Sequence, residues 1–406
     1  MPLKKCRARQ SMQRLGICKF FVSSSGQANS ISEMSQLLKD TLTKIEKMPF
    51  DQEYLNWLYK KPSEKPQFEQ GKWIQTQLQD FYIYNHSSQT GWLSRDGFKE
   101  YTESLPRQLN YVDSTFTITD MGQVLLKGLM DEREKEAFLN ISLNCNPFIL
   151  TTEQKIFFLY NLLNSDGDFF IPFSYAIYRK FGTEQFSYLD AGNMIPEIIN
   201  GVLQFFSGVA YTSSDRRQLD DIENMKLSIE NDIKEQSEKK GSGSRREQEC
   251  IPRLEWMADL AILAKNYSRK YTFTKLGEIL VVNLGNLYSK YLTTGYPEQA
   301  VPKILDSNFY EIMNLAYFSQ ASSKSSNISL LKFINYSYDV LKGISGYCLY
   351  RPLLLLANIL SSSRNGKVFL EYDNGIQLLE KAFQENPEKI YYTTDRFGTD
   401  VQLKIL

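Results

Sequence analysis

The pattern of apolar and polar positions repeats a short phrase at two places in the chain. Residues 114–128 and 270–281 each hold an alternating aromatic/threonine run that ends at a Thr. A Gly follows three residues later, and an apolar helical stripe comes next. The alternation is typical of a half-buried strand, and the closing Thr119 or Thr274 is placed to cap a new helix. Both sites are therefore predicted to be a hairpin strand followed by a capped helix.

A helix of basic and apolar residues is predicted upstream of each phrase, over residues 95–108 and 253–265. Helix, hairpin and capped helix is the order found at the end of a winged helix-turn-helix unit, a topology that usually places one helix in a DNA groove. We therefore expect a fold that is mainly α with small β-hairpins, built from tandem winged helix-turn-helix domains.

The remaining apolar periodicity predicts further helices along the chain. They are 31–48, 131–141, 151–164, 191–206, 216–240, 276–291, 299–320, 327–343 and 371–384. Thr151 with Gln154 has the spacing of a capping box, and Asp166-Gly167-Asp168 predicts a turn. Alternation over 389–392 and 401–405 predicts a hairpin near the C-terminus.

These elements divide the chain into five predicted segments. They are a basic N-terminal arm (1–30), a first winged-helix domain with a helical extension (31–210), a charged helix with a Gly/Ser linker (211–247), a second winged-helix domain (248–345) and a possible third (346–406). The linker Gly241–Ser244 is the expected hinge.

Composition narrows the class of protein. The 406 residues are 42% hydrophobic, which indicates a globular chain, and 47 basic residues balance 47 acidic ones. A net charge of zero argues against non-specific coating of nucleic acid, although a local basic patch can still bind it. The five scattered cysteines suggest reduced thiols, and no apolar stretch is long enough for a bilayer, so we expect a cytoplasmic protein with no membrane contact.

The N-terminal arm carries six positive charges before the first acidic residue, Glu33. They are Lys4, Lys5, Arg7, Arg9, Arg14 and Lys19. Two interpretations stay open: an unstructured tail, which includes the possibility of a misassigned start, and a disordered arm that contacts phosphates.

Candidate chemistry is sparse. The one histidine, His86, has no nucleophile-elbow sequence beside it, and no Gly-rich phosphate loop occurs. The sharpest enzymatic alternative is a Mg-dependent nuclease, because Glu153-Gln-Lys155 and Glu238-Lys-Lys240 fit its Glu-x-Lys tripeptide, but neither follows a hydrophobic strand. We expect no catalytic residue, no metal and no cofactor.

The residues expected to contact duplex DNA lie on or beside the two predicted recognition helices. They are Arg95, Lys99, Arg107, Arg253, Lys265, Asn266, Arg269 and Lys270. The alternative is a protein-interaction scaffold that bridges an ATPase or nuclease partner, since winged helices also bind proteins. The aromatic stretches 169–173 and 310–318 are candidate interfaces, with ordinary core as the competing interpretation.

The stretch Leu260–Leu280 with its Thr-Lys-Leu-Gly277, and Thr119-Asp-Met-Gly122 followed by Glu134–Leu139, resemble the tandem winged-helix recognition region of type IIS restriction endonucleases such as the FokI and AlwI families. The resemblance covers residues 90–205 and 250–290. In those enzymes a separate nuclease domain cuts, and this chain shows none. The resemblance implies a non-catalytic DNA-recognition subunit of a restriction or anti-phage defence system, whose nuclease is another polypeptide.

Overall fold

The computed structural model describes most of the second half of the chain and parts of the first. The described residues are 3–6, 15–25, 33, 36–37, 105–115, 117–139, 150–206, 213–235, 245–266, 270–294, 296–317, 327–343, 346–365, 372–385, 390–394 and 401–405. The predicted helix 31–48 and the linker 241–244 lie almost wholly outside these ranges.

Helices dominate the first part of the described chain, up to the charged segment. They are α1 (Ile17–Ser25), α2 (Leu105–Gln108), α3 (Asp120–Gln123), a π-helical turn (Val124–Leu129), α4 (Glu132–Leu139), α5 (Thr152–Phe181), α6 (Tyr188–Gly192), α7 (Ile195–Phe206) and α8 (Ser213–Glu235), with strand β1 (Phe186–Ser187) before α6.

The second part alternates helices with two hairpins. Its elements are α9 (Arg245–Asp259), β2 (Leu263–Lys265), β3 (Lys270–Phe273), α10 (Lys275–Thr294), a 3-10 turn (Pro297–Gln299), α11 (Ala300–Ser307), α12 (Phe309–Tyr317), α13 (Asn327–Leu341), β4 (Cys348–Leu349), α14 (Tyr350–Asn365), α15 (Tyr372–Glu385), β5 (Ile390–Thr394) and β6 (Val401–Ile405). The prediction of a mainly α protein with small β-hairpins is confirmed.

Two small antiparallel sheets lie between the helices of the described chain. The first has the strand order β1-β3-β2, with Phe186 opposite Tyr271 and Leu263 opposite Phe273. The second has the order β4-β6-β5, with Cys348 opposite Leu403. In both sheets the first strand of the chain pairs with the last, so the hairpin folds back onto a strand that precedes it by at least one helix.

The long helix α5 lies at the centre of the packing and contacts α7, α10, α11 and α14. It begins at the predicted capping box, where Thr151 Oγ accepts from the Gln154 main-chain N–H and the Gln154 side chain accepts from the Thr151 N–H. Close approach of the helices depends on small residues, since a Cβ at Gly285 of α10 would strike the ring of Tyr175. The buried core runs continuously from Leu3 to Leu403.

The turn predicted at Asp166-Gly167-Asp168 is wrong, because α5 passes straight through these residues. Glycine inside a helix costs about 1 kcal/mol relative to alanine, so local propensity favoured a break. Tertiary contacts outweigh that cost: Val301 of α11 packs where a Cβ of Gly167 would lie, and both carboxylates accept hydrogen bonds from a distant segment.

The helix predicted over residues 253–265 is displaced toward the N-terminus. Helix α9 ends at Asp259, and Leu263–Lys265 is a strand of the hairpin. In the described part of the predicted helix 299–320, Ala300–Ser307 and Phe309–Tyr317 form two helices rather than one, divided at Asn308.

Candidate nucleic-acid interface

The repeated phrase forms the same corner at both places. Two residues after the end of the preceding helix, each corner has a residue with positive φ, Asn110 (59°) in the first case and Ala261 (60°) in the second. The N–H groups that follow bond back in the same pattern, Tyr111 to Pro106 O (2.8 Å) and Ile262 to Met257 O (2.8 Å). This six-to-one bond, with the shorter bond beside it, is a Schellman C-cap.

The threonine of each phrase joins the two sides of the corner. Thr274 Oγ1 donates to Ala261 O (2.6 Å) and accepts from the Gly277 N–H (3.0 Å). Thr119 Oγ1 likewise donates to Asn110 O and accepts from the Gly122 N–H (3.1 Å). The predicted N-caps are therefore confirmed, and each hydroxyl also caps the end of the preceding helix.

The glycine of each phrase is required by close backbone approach. A Cβ at Gly122 would collide with the carbonyl oxygen of Tyr111, and one at Gly277 with the carbonyl oxygen of Ile262. The Thr-x-x-Gly spacing is therefore the sequence signature of this corner: the hydroxyl fixes the helix start and the glycine lets the hairpin pass against it.

Helix α9, which contains Arg253 and was predicted to contribute DNA contacts, is enclosed by the rest of the protein. Ten of its fifteen residues are buried and none is fully exposed. It packs against α6, α8 and strand β2. A helix must present a free face to enter a major groove, so α9 does not supply the groove contact that the sequence suggested.

Arg253 illustrates this correction. Its guanidinium is fully buried, donates to both oxygens of Asp166 (2.7 and 2.8 Å) and to Glu249 Oε2 (3.0 Å), and stacks 4.3 Å from the ring centre of Phe169. Burial alone would lower the pKa of Arg253, but the two carboxylates raise it above its ordinary value. The residue is a structural cation, and its assignment as a DNA contact is wrong.

A short N-terminal segment, residues 3–6, closes over this cluster; we call it the N-terminal strap. The Lys4 N–H donates to Asp168 Oδ2 (2.7 Å) and the Cys6 N–H to Asp166 Oδ1 (2.7 Å). Arg253 Nη2 returns a bond to Cys6 O (3.2 Å), and Lys5 Nζ pairs with Glu249 (3.0 Å).

The strap corrects both interpretations of the basic N-terminal arm for the residues that the structure describes. Lys5 is bound to Glu249, and the fully buried Lys19 donates to Glu134 and to Gln154 Oε1 (2.9 Å). These two cations are neither in an unstructured tail nor available to phosphates. Arg7, Arg9 and Arg14 lie outside the described residues.

The hairpin β2–β3 presents the exposed polar groups of the central region. Lys270 is exposed, and Asn266 accepts from its main-chain N–H (3.0 Å) and reaches Gln185 (3.4 Å). Lys265 is exposed and bonds Glu255 (2.5 Å), which also binds the Tyr271 hydroxyl. Of these predicted contacts, Lys265 and Lys270 are exposed, Asn266 is half-buried, and Arg269 lies outside the described residues.

A second lysine joins this end of the sheet. Lys180, exposed in the last turn of α5, and Lys270 are both near enough to Asp190 for their charges to act on its carboxyl. Hydrogen bonds from Ser187, and more weakly the charges of the two lysines, lower the pKa of the Asp190 carboxyl. We call Lys180, Gln185, Asn266 and Lys270 the hairpin edge.

Of the DNA contacts predicted at the first site, one lies in the described residues. Arg107 is half-buried and lines an open cleft of about 350 Å³ with Gln108, Asn110, Val112, Asp113 and Ser114. Arg95 and Lys99 lie outside the described residues. Of the first set of predicted contacts the structure describes Arg107 alone, and it does not bring Arg253 together with the second set.

The exposed polar face of helix α15 is the feature that sequence reasoning missed. Asn374, Gln377, Lys381 and Gln384 are all exposed and are spaced three, four and three residues apart, which places them on one face of the helix. The opposite face is anchored, because Gly375 packs against the hydroxyl of Tyr350 and Leu379 is buried. The polar spacing was visible in the sequence, but the missing Thr-x-x-Gly phrase made this region look like the weakest unit.

We next consider the groups that could support catalysis or metal binding in the described residues. Glu153 and Lys155 lie in the first turn of α5, not on a strand, and Glu238–Lys240 lies outside the described residues. Among the residues described, no cluster of three His, Cys, Asp or Glu side chains is arranged to hold a metal. Cys6, Cys18, Cys250 and Cys348 are buried free thiols; burial raises the pKa of Cys6, Cys18 and Cys250.

The aromatic stretches proposed as interfaces are mostly core. Phe169, Phe170 and Phe173 are buried, as is Tyr310, whereas Leu315 is 46% exposed. Phe318 lies outside the described residues. The remaining large exposed apolar side chains of the described regions are spread over separate elements, so the ordinary-core interpretation holds for the first stretch and most of the second.

Comparisons with protein-family models, with curated proteins and with solved structures found no match to this chain. None of the described helices is both long enough and apolar enough to cross a membrane.

Proposed function

We propose that the central and C-terminal regions are winged-helix domains. Such a unit has the chain order helix, strand, helix, helix, hairpin, with the first strand beside the last. The central region follows this order through α5, β1, α6, α9 and the hairpin β2–β3, with α7 and α8 inserted between its second and third helices. The C-terminal region follows it through α13, β4, α14, α15 and the hairpin β5–β6.

The corner at residues 105–122 belongs to a further unit of the same kind in this proposal. Its cap, threonine and glycine repeat those at 256–277, and the single bridge Val112–Ile118 stands where the central unit has the hairpin β2–β3. This repetition makes the chain a tandem array rather than one winged helix with extensions.

We infer that the array binds duplex DNA as a non-catalytic recognition subunit of a restriction or anti-phage defence system. The observation that carries the inference is the recurrence of the winged-helix order with polar and basic groups left exposed on hairpins and on α15. The defence role and a separate nuclease polypeptide as partner rest on the resemblance to type IIS restriction enzymes. The hairpin edge would contact phosphates, since Lys180 and Lys270 are exposed cations beside neutral amides.

The test measures the affinity for a DNA duplex as a function of salt concentration. The full-length protein is titrated into a labelled 30-base-pair duplex by fluorescence anisotropy from 50 to 200 mM salt. The Lys180→Glu/Lys270→Glu double variant should bind at least about tenfold more weakly and lose about two from the slope of log K against log salt, because each phosphate contact releases about one counterion. Lys290→Glu, the same type of substitution at one exposed position far along α10, should leave both unchanged.

Absence of wild-type binding at 50 mM salt would overturn the DNA-binding proposal. Cleavage of the duplex on addition of Mg²⁺, abolished by Glu153→Ala, would overturn the non-catalytic part and favour the nuclease alternative.

A protein-interaction scaffold that bridges an ATPase or nuclease is the second candidate. It is favoured by one observation: α15 carries Asp373, Glu380 and Glu385 against the single Lys381, and a net negative helix is repelled by phosphates. Pull-down from the native host with and without DNase separates the two candidates, because partners that persist after DNase are held by protein contacts.

A further inference from the structure

Arg246, at the start of helix α9, is a buried cation that the protein matches only in part. Its side chain lies in a residue that is 3% exposed, and its Nη1 donates to Asn193 Oδ1 (2.5 Å). Its Nε and Nη2 are buried and have no hydrogen-bond acceptor in the described part of the chain. Because burying a charged donor without an acceptor is costly, these two N–H groups require a specific explanation.

Arg253 shows which ligand the unmatched side of Arg246 suits. The two arginines are seven positions apart, so they lie two turns apart on nearly the same face of α9. In Arg253 the Nε and Nη2 atoms donate to the two oxygens of the Asp166 carboxylate (2.8 and 2.7 Å). We call this Nε–Nη2 edge the fork; its planar geometry matches the two oxygens of a carboxylate. We propose that the fork of Arg246 binds the carboxylate group of a small ligand.

Two contacts hold the Arg246 guanidinium in position. The Asn193 amide accepts from Nη1, and the aliphatic part of the side chain lies against Gly192, where a Cβ would be 2.7 Å from the Arg246 Cγ. A donor pair fixed in this way loses little conformational freedom when a ligand binds. Asn193 itself is exposed, which places the guanidinium directly beneath the surface.

The charges around the fork favour an anion of single charge. Asn193 comes two residues before the twelve-residue helix α7, so the positive end of that helix dipole lies at the same junction. Three carboxylates oppose an anion: Asp232, which accepts from the Arg246 main-chain N–H (3.4 Å), the neighbouring Glu247, and the exposed Glu197 in the first turn of α7. A phosphate carries about two negative charges at pH 7 and is repelled more strongly than a carboxylate, which carries one.

The site joins the two ends of the α7–α8 insertion in the proposed central unit. Helices α7 and α8 separate α6 from α9, and Arg246 at the start of α9 contacts Asn193, just before the insertion begins. A carboxylate on the fork therefore adds a contact at the base of the insertion and stabilises the folded chain by mass action. This inference goes beyond DNA binding and does not depend on it.

The experiment follows the thermal unfolding midpoint of the full-length protein while sodium acetate replaces sodium chloride, up to about 100 mM at constant ionic strength. The wild-type midpoint should rise with acetate and then level off. Arg246→Lys keeps the positive charge but lacks the fork, so acetate should bind at least about tenfold more weakly, because it loses a hydrogen bond to a charged donor. Arg245→Lys, the same substitution at the neighbouring arginine, which pairs with Glu249, should retain the wild-type response.

Arg246→Met is the second variant, because it removes the buried charge altogether. It should lose the response to acetate and, in chloride, should unfold at or above the wild-type midpoint, since an apolar side chain of similar length replaces an uncompensated buried cation.

Three outcomes would overturn the inference. The first is a wild-type midpoint that does not change as acetate replaces chloride, and the second is a response of wild-type size in both Arg246 variants. The third is tighter binding of inorganic phosphate than of acetate in the same assay, which would assign the fork to a phosphate group. Each of these outcomes leaves the proposed binding of duplex DNA untouched, because that function is measured on a different surface.

Discussion

Single residues in the centre of this protein act through burial more than through exposed charge. Asp168 shows this most clearly. It is buried in α5 and accepts from the Lys4 N–H and from the Tyr288 hydroxyl (3.0 Å). Burial raises the pKa of the Asp168 carboxyl to about 7, although these hydrogen bonds oppose the shift.

The pKa of Asp168 predicts that stability falls as the pH rises. The folded protein keeps the proton up to about pH 7, whereas an aspartate in the unfolded chain releases it near pH 4. The stabilising contribution is thus complete below about pH 4 and is lost on the way to pH 7, by an amount on the order of 4 kcal/mol. Asp168→Asn should remove this dependence, measured by urea unfolding at pH 5 and pH 8.

Asp190→Asn provides a control for that measurement. Hydrogen bonds from Ser187 lower the pKa of Asp190, so its contribution is lost only as the pH falls below about 4, and this variant should keep the wild-type dependence between pH 5 and pH 8. If Asp168→Asn loses as much stability between pH 5 and pH 8 as the wild type does, then Asp168 is not the group responsible.

At the scale of helices and strands, the two Thr-x-x-Gly corners fix where helices end and begin, and their residues can be recognised in the sequence. The Thr-x-x-Gly phrase correctly predicted both N-caps and the strand at 270–273, because the geometry is local: one hydroxyl bridges two helix ends within fourteen residues. The capping box at Thr151 was equally visible for the same reason.

Replacing a glycine of the two corners by alanine should destabilise the protein far more than the same substitution at a helical glycine elsewhere. Gly277→Ala and Gly122→Ala each force a Cβ into a carbonyl oxygen, so we expect each to lower the free energy of unfolding by about 2 kcal/mol or more. Gly201→Ala is the matched control, since a Cβ there meets open space on helix α7; it should raise stability by about 0.5–1 kcal/mol. Chemical denaturation of the three variants measures this, and equal effects at all three positions would contradict it.

Elements whose positions depend on distant contacts could not be predicted from the sequence. Asp166-Gly167-Asp168 has the composition of a turn, and nothing near it in sequence shows that Val301 and the N-terminal strap will hold it in a helix. Arg253 failed as a site for the same reason, because a surface arginine and a buried one have the same local sequence pattern. Its partner Asp166 is 87 positions away.

The polar face of α15 could have been found by its spacing alone. Asn374, Gln377, Lys381 and Gln384 follow helical periodicity, and the apolar positions between them were already used to predict the helix. What the sequence could not provide was the order of the second sheet, which places this helix directly before a hairpin that pairs with β4.

At the scale of the whole molecule, the N-terminal strap fastens the beginning of the described chain to its centre through main-chain groups. The Lys4 N–H bonds a carboxylate 164 positions away, and Lys4 O accepts from the Asp168 N–H (3.1 Å). The strap is therefore held to α5 by the main-chain amide of Lys4 more than by its side chain.

A pair of variants at this position tests the main-chain contact. Lys4→Pro removes the N–H and leaves a buried carboxylate oxygen without its donor, so we expect a loss of about 1–3 kcal/mol in the free energy of unfolding. Lys4→Ala keeps the amide and should stay within about 0.5 kcal/mol of the wild type. Urea unfolding of both variants measures this difference. Equal stability of the two variants would show that the strap does not depend on this bond.

The strap also sets an order of events during synthesis on the ribosome. Cys6 bonds Arg253 across 247 positions, so the strap, which is synthesised earlier, must wait for most of the central region before all its partners exist. At about 5–20 residues per second this wait lasts roughly 12–50 s. Until Arg253 is made, the Asp166 carboxylate lacks its guanidinium partner. Translation pauses placed before codon 253 should therefore lengthen the interval in which the nascent chain is open to chaperones and proteases.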